Sequence, residues 1–441
     1  MPEYIWPAFG KHRGPGFWNL TNLWKSRKKI LRADNSNAWR YAHESANPPP
    51  VDRSVSFGAV IPDTSIRFRI AILGDTGEGD MSQYALVPLL RAANPDFMII
   101  NGDVAYPSGD PDDFVEGFFR PYQGMGIPVW ATAGNHEYYS NDNGRTFYEI
   151  FCGRVFGPLW ARYGLRQVPQ PGMYWELRDP SGGTPLVIIG IDSGKAANLD
   201  GHNSWLSSLF NRKSPDVDQL EWLEWRLSLA DSAKSKVVVL FHIPALVRAK
   251  HDKVHLGELH RILARHPSVS LVVCGHIHHH EEYDGATFGK YLMQEHGAGA
   301  GGAGPRYIVS GNGGATLDGT DLKGSYPPTS VYPSVQQWKD YAGAIRRAVD
   351  TVAPGSPLSR VVGQLPSLIP FRDDDPPGLQ SFLLLDVDPG QGKIDVSHVQ
   401  LDNLDLLFTQ QPPDARIAVA APSHPLDPGA LAQCTRHLFN V

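Results

Sequence analysis

Five short polar motifs, each at or just past the end of an apolar run, constrain this chain more than any other feature. They read Gly74-Asp75-Thr76-Gly77, Gly102-Asp103-Val104-Ala105-Tyr106, Gly134-Asn135-His136-Glu137, Val239-Leu240-Phe241-His242 and Gly275-His276-Ile277-His278. The run Phe97-Met98-Ile99-Ile100 is uninterrupted, as expected of a strand buried on both faces. Residues 67–73, 128–132, 237–241 and 269–273 also read as strands. Further strands are expected at 173–177, 186–191, 307–309 and 382–385. Helices are expected at about 82–93, over 256–264, and after Asp218, which can cap a helix with Leu220, Leu223 and Leu227 inward. Each motif then falls at a strand's carboxyl end, where open α/β sheets bind ligands.

The rest of the chain fits one large α/β unit with attachments. Of its 441 residues 41% are hydrophobic, enough for a substantial core. A net charge of −6 lacks the basic face that phosphate backbones require, so nucleic-acid binding is not expected as a main role. The three cysteines, Cys152, Cys274 and Cys434, are too few and odd in number for a disulfide framework. No apolar run reaches the ~18 residues of a membrane span.

Residues 1–65 form a lead-in in which Trp6, Trp18, Trp24 and Trp39 alternate with basic residues. It ends after Pro48-Pro49-Pro50 and is expected to be a strap packed on the main unit, without strand character. Its first residues lack the pattern of a secretory signal, which favours a cytoplasmic address. Residues 66–402 are the expected catalytic unit, with inserted loops at 297–305 and 318–377. A helical stretch is expected at 335–349, and 403–441 form a proline-rich tail.

The motifs supply two Asp, one Tyr, one Asn and three His, too many for one closed tetrahedral zinc site. Two adjacent ions sharing a bridging carboxylate would use them all. Singly, each has a plainer explanation: a Gly-Asp after a strand is usually a turn, and a lone Tyr is usually packed. Their joint occurrence in this order argues otherwise.

Order and spacing resemble the purple acid phosphatases, a branch of the calcineurin-like metallophosphoesterases. The resemblance covers about residues 66–400 and implies two facing mixed β-sheets flanked by helices in four layers. It also implies Asp103 as the bridge, Fe(III) at Asp75, Asp103, Tyr106 and His278, and a divalent Zn, Mn or Fe at Asp103, Asn135, His242 and His276. Many calcineurin-like enzymes carry Asp-x-His in the first motif. Here Gly77 stands in place of that His, and Tyr106 is the expected substitute. A phenolate needs a strongly Lewis-acidic partner, because free phenol has a pKa of ~10. Many of these relatives are secreted, so extracellular and periplasmic addresses remain open alternatives.

The implied reaction is hydrolysis of a small phosphate monoester by in-line attack of a metal-bound hydroxide, at acidic to neutral pH. His136 or His251 would protonate the leaving group, with Glu137 orienting His136. His251 lies nine residues after His242, matching a substrate-contacting histidine of the mammalian-type members. His279, His280 and His296 are expected at the surface or rim, and Arg248 is expected to be exposed. A phosphodiesterase acting on nucleotides or phospholipid head groups is the alternative enzyme. A metal-binding interaction module without turnover is the non-enzymatic one. Neither the substrate nor the oligomeric state is legible in the motifs.

Overall fold

Apolar residues alternate between two faces along most long strands, and this alternation builds three apolar layers around two sheets. The computed structural model describes residues 38–79, 81–84, 86–140, 142–178, 186–195, 216–244, 246, 256–296, 304–315, 330–332, 380–389, 391–401 and 417–419.

Strands are numbered in chain order. One sheet runs Ile417–Val419 (β14), Lys393–Leu401 (β13), Ser381–Asp388 (β12), Phe68–Leu73 (β2), Phe97–Asn101 (β3) and Val129–Thr132 (β4). In it β2, β3 and β4 are parallel, and β12 returns antiparallel to β2. The other sheet runs Ser54–Ser56 (β1), Trp175–Arg178 (β5), Leu186–Gly190 (β6), Lys236–Leu240 (β7), Val269–Cys274 (β8), Arg306–Ser310 (β10), His280–Tyr283 (β9) and Ser330–Tyr332 (β11). Its centre, β6, β7, β8 and β10, is parallel. The fold is thus α/β with two mixed sheets and flanking helices.

Ile70, Ile72, Phe97, Ile99 and Trp130 face Trp175, Leu186, Ile188, Val238 and Leu240 across the space between the sheets. Their neighbours Ala71, Leu73, Met98 and Ile100 point the other way, onto the helix Leu86–Ala93 and onto Phe118, Phe151 and Trp160. On the far side Val237, Val239, Val272 and Cys274 meet the helices Val217–Ala233, Gly257–Arg265 and Gly285–His296. Burying each such side chain contributes roughly 1.5–3 kcal/mol, so neither face of these strands tolerates water.

Several local expectations differ from the structure. The lead-in supplies an edge strand after all, since β1 pairs parallel with β5. Three residues are too few to display a period, and the pairing comes from the open edge of β5. The helix expected at about 82–93 agrees with the structure, which is helical over Met81–Tyr84 and Leu86–Ala93. Asp216, not Asp218, sits at the N-cap of Val217–Ala233, and its side chain makes no capping bond. Arg40 and Tyr41 take that carboxylate instead. Within the stretches expected as insertion and tail, β11 and β14 pair with β9 and β13. The expected helix at 335–349 lies outside the described residues, as do residues 297–303, Arg248 and His251. Among the described residues no helix is long and apolar enough to cross a membrane.

Candidate metal centre

The parallel strands of both sheets end along one rim, and each motif is the first turn after such a strand. Asp75 follows β2, Asp103 follows β3, and Asn135 lies three residues past β4. His242 follows β7, while His276 and His278 follow β8. Three of these residues hold left-handed backbone, Asp75 at φ 57°, Asp103 at φ 49° and His276 at φ 70°. Such conformations are costly outside glycine and concentrate at functional sites. They turn the chain sharply enough to aim each side chain back over the rim.

Two of the motif glycines are set by close approach. A Cβ on Gly134 would collide with the Asp103 carboxylate, and one on Gly102, at φ 84°, with the His242 ring. The loops are also stitched to one another: Asp75 N–H donates to the Gly102 carbonyl (3.1 Å), and Gly275 N–H to that of His242 (2.9 Å).

The side chains converge. Tyr106 Oη lies 3.2 Å from Asp75 Oδ1, 3.1 Å from Asp103 Oδ2 and 3.1 Å from His278 Nε2. Asp103 Oδ2 also lies 3.2 Å from His242 Nε2. Asn135 Oδ1 lies 3.2 Å from His242 Nε2 and 2.8 Å from His276 Nδ1. Two overlapping groups have ligand atoms within 4.8 Å of one another: Asp75, Asp103 and His278, and Asp103, His242 and His276. Asp103 belongs to both. The seven side chains expected to hold ions are therefore brought together, and His251 lies outside the described residues.

The donor set fits a pair of cations. Asp75 and Asp103 are fully buried, and among the described residues neither meets a lysine or arginine within ion-pair distance. Buried carboxylates without a compensating cation are costly. Burial opposes the ionised form of Asp103, but His242 and His136 outweigh it and hold the carboxyl well below its usual range. Burial likewise opposes charge on His242, yet Asp103 and Asp75 raise it to about 9. The carboxylates thus attract positive charge to this spot. His242 Nδ1 lies 3.1 Å from the Asn101 carbonyl, which only accepts, so that nitrogen carries the hydrogen and Nε2 faces the site. Tyr106 carries the opposite pressure, its hydroxyl pushed well above the ordinary value by burial and the two carboxylates.

The supporting shell departs from expectation. Glu137 does not orient His136. Its Oε1 accepts from the N–H groups of Val104 (2.9 Å) and Ala105 (3.1 Å), and its Oε2 from Asp103 (3.1 Å) and Gly134 (2.7 Å). Burial and Asp103 nonetheless raise its carboxyl to about 8. His136 Nδ1 instead meets the Pro107 carbonyl at 2.7 Å, which leaves Nε2 3.9 Å from Asp103 Oδ2. Burial lowers the His136 pKa, and Asp103 only partly opposes it.

His279 and His280 are buried rather than at the rim. His279 pairs with Glu281 (2.8 Å), and His280 with Glu282 (3.0 Å) while stacking on His398 at 3.8 Å. His279 lies just before β9 and His280 begins it, with β10 and β11 paired on either side of that strand. His296 ends the helix Gly285–His296.

Two contributors escaped the sequence reading. Asn101 Nδ2 bridges the sheets to the carbonyls of Phe241 (3.2 Å) and Val273 (3.0 Å), behind His242. Its only signal is a polar residue closing an apolar run. Tyr139 Oη accepts from Asn135 Nδ2 at 3.0 Å, which aims Oδ1 at the histidines.

Comparison with known proteins bears on this geometry. The family model of calcineurin-like phosphoesterases matches residues 68–280. A probable cyclic nucleotide phosphodiesterase of Synechococcus is 27% identical over 196 residues, 43% of this chain and 60% of that one. A 3',5'-cyclic adenosine monophosphate phosphodiesterase of Escherichia coli is 33% identical over 124 residues, 26% of this chain and 42% of its own. The chain thus spans well under two thirds of either relative. Among solved structures, the Plasmodium inner-membrane-complex anchor GAP50 aligns at TM-score 0.47 and 11% identity, over 85% of this chain and 95% of that one. A yellow lupin purple acid phosphatase aligns at TM-score 0.45 and 14% identity, over 80% of this chain and 53% of that one. The family match spans all five motifs and supports the calcineurin-like metallophosphoesterase superfamily for residues 68–280.

Proposed function

We propose that this chain hydrolyses phosphate monoesters at a dinuclear centre of the purple acid phosphatase type. The observation that carries this reading is the place of Tyr106, whose Oη lies within 3.2 Å of both buried carboxylates and 3.1 Å from His278. Asp75, Asp103, Tyr106 and His278 would hold Fe(III), and Asp103, Asn135, His242 and His276 a divalent Zn, Mn or Fe. Bound there, the ions would supply Lewis acidity toward the phosphoryl oxygens and an acidified water.

The chain's own groups do the rest. Asn135, aimed by Tyr139, and His242, aimed by Asn101, set the geometry in which phosphate is bound. His136 holds its Nδ1 hydrogen on Pro107, so Nε2 is the atom that exchanges a proton with the leaving alkoxide. Burial favours its neutral form, so Nε2 must first take up a proton before giving one to the leaving alkoxide. His251 is proposed as a second contact to substrate.

A second reading rests on the curated relatives: two are named cyclic nucleotide phosphodiesterases, which favours a diester substrate. The test combines a visible spectrum and metal analysis with hydrolysis of p-nitrophenyl phosphate, bis(p-nitrophenyl) phosphate and 3',5'-cyclic nucleotides. A mid-visible band and preference for the monoester support the first reading. A colourless, Zn- or Mn-loaded protein that prefers diesters overturns it in favour of the second.

A further inference from the structure

Arg40 lies outside the residues matched by the family model, yet it is buried and connects to the loop that carries Asn135 and His136. It projects from the helix Ala38–Ala46. Its Nη1 lies 3.4 Å from Asp192 Oδ2, and its Nη2 hydrogen-bonds Asp216 Oδ1. Tyr138 Oη donates to the same Asp192 Oδ2. Tyr138 N–H in turn donates to the Asn135 carbonyl at 3.1 Å, and Glu137 lies between them in the chain.

We propose that Arg40, Asp192 and Tyr138 are positioning residues that fix the loop bearing Asn135 and His136 from the helix Ala38–Ala46. The inference rests on the reading of Asn135, His242 and His276 as ligands of one ion. Four observations support it. The Asp192 backbone is itself immobilised, its N–H donating to Gln219 Oε1 (2.9 Å) and its carbonyl accepting from Gln219 Nε2 (3.1 Å). The loops touch directly, because a Cβ on Gly194 would stand 2.5 Å from the Gly134 carbonyl and 2.6 Å from the Tyr138 ring. Ser193 Oγ accepts from the Ile243 N–H at 3.0 Å, so the same turn also reaches the neighbour of His242. Tyr138 is buried, and turning it away from Asp192 would strand its hydroxyl without water. The turn at 192–194 therefore sits between two strand ends that carry ligands, with Arg40 closing it from outside.

The test compares Tyr138→Phe and Arg40→Lys with wild type and with Glu44→Gln. Tyr138→Phe keeps the ring and the charges but removes the hydroxyl. Arg40→Lys keeps the charge but cannot reach both carboxylates with a planar fork. Glu44→Gln weakens the ion pair of the same helix with Arg53 and leaves Arg40 in place. Zn(II) affinity is measured by calorimetry on metal-depleted protein, alongside Tm and the kcat and KM for p-nitrophenyl phosphate. Expected is a loss of about tenfold or more in the affinity of one of the two Zn(II) sites for Tyr138→Phe, with kcat falling and KM nearly unchanged. Arg40→Lys should follow it, while Glu44→Gln lowers Tm alone. Wild-type Zn(II) affinity and kcat in folded Tyr138→Phe would overturn the proposal, whatever its Tm. A wild-type protein that hydrolyses no phosphoester when loaded with Fe(III) and Zn(II) would sink the proposed function, while the Zn(II) affinity comparison would still decide this inference.

Discussion

Tyr106 Oη lies 3.1 Å from Asp103 Oδ2, although only two residues separate them in the chain. Extended backbone would send these two side chains, three positions apart, to opposite faces. The left-handed turn at Asp103, φ 49°, folds the segment so that carboxylate and phenol meet. That local device places a phenol oxygen where two carboxylates and an imidazole already converge.

Replacing Tyr106 by Phe keeps a ring tilted against His136, with centroids 4.3 Å apart, and removes only the oxygen. Any mid-visible absorption should disappear, and affinity for the ion at Asp75 and His278 should fall about tenfold or more. Calorimetry and a spectrum of the loaded variant check this. Unchanged colour and affinity would remove Tyr106 from the ligand set.

Asp103 is common to both ligand groups, so Asp103→Asn should weaken both at once. For wild type, ions at a hundredfold excess over Kd should add about 2.7 kcal/mol per site, lost on chelation. Thermal melts with and without a chelator measure the effect. The variant should show little difference between the two conditions. A full metal-induced rise in Tm for Asp103→Asn would refute the shared-ligand geometry.

Glu137 accepts four backbone N–H groups with two oxygens. In Glu137→Gln one oxygen becomes an NH₂, which cannot accept from the two N–H groups facing it. With the carboxyl ionised, above about pH 8, two charge-assisted bonds are lost and donors confront donors, for a cost of about 3 kcal/mol. Urea unfolding of the metal-depleted protein should show it. A change under about 0.5 kcal/mol would mean that the loops do not depend on this clamp.

The pH dependence of stability has an identifiable contributor away from the ligands' own carboxylates. Burial would raise the Glu282 pKa, but His280 and Arg306 outweigh it and bring it from 4.5 to about 2. A depressed folded-state value means that the stabilisation is present above about 4.5 and is lost as pH falls through about 2. Partial exposure limits its size to about 1 kcal/mol. Comparing Tm of wild type and Glu282→Gln from pH 6 to pH 2.5 should show the gap narrowing. A gap independent of pH would exclude this contribution.

Chain-local signals carried the reading of strands and motifs. An apolar run followed by Gly-Asp, Gly-Asn or His needs only short-range information, because a strand buried on both faces must be apolar throughout and its end must turn. The seven motif side chains were legible for that reason, whereas the pair of mixed sheets was what the family resemblance implied. Tertiary structure decided what depends on distant partners. His279 and His280 looked like rim residues, but side-chain partners enclose them, Glu281 at His279, and Glu282 with the His398 ring of β13 at His280. Glu137 stood beside His136 in sequence, but the four N–H groups that occupy it come together only when the turns after β3 and β4 pack. Arg40 carried no motif at all, and the carboxylates it joins lie 152 and 176 residues away. A local pattern fixes the direction in which a side chain leaves the backbone; the partner it meets is settled by how the sheets and loops close around it.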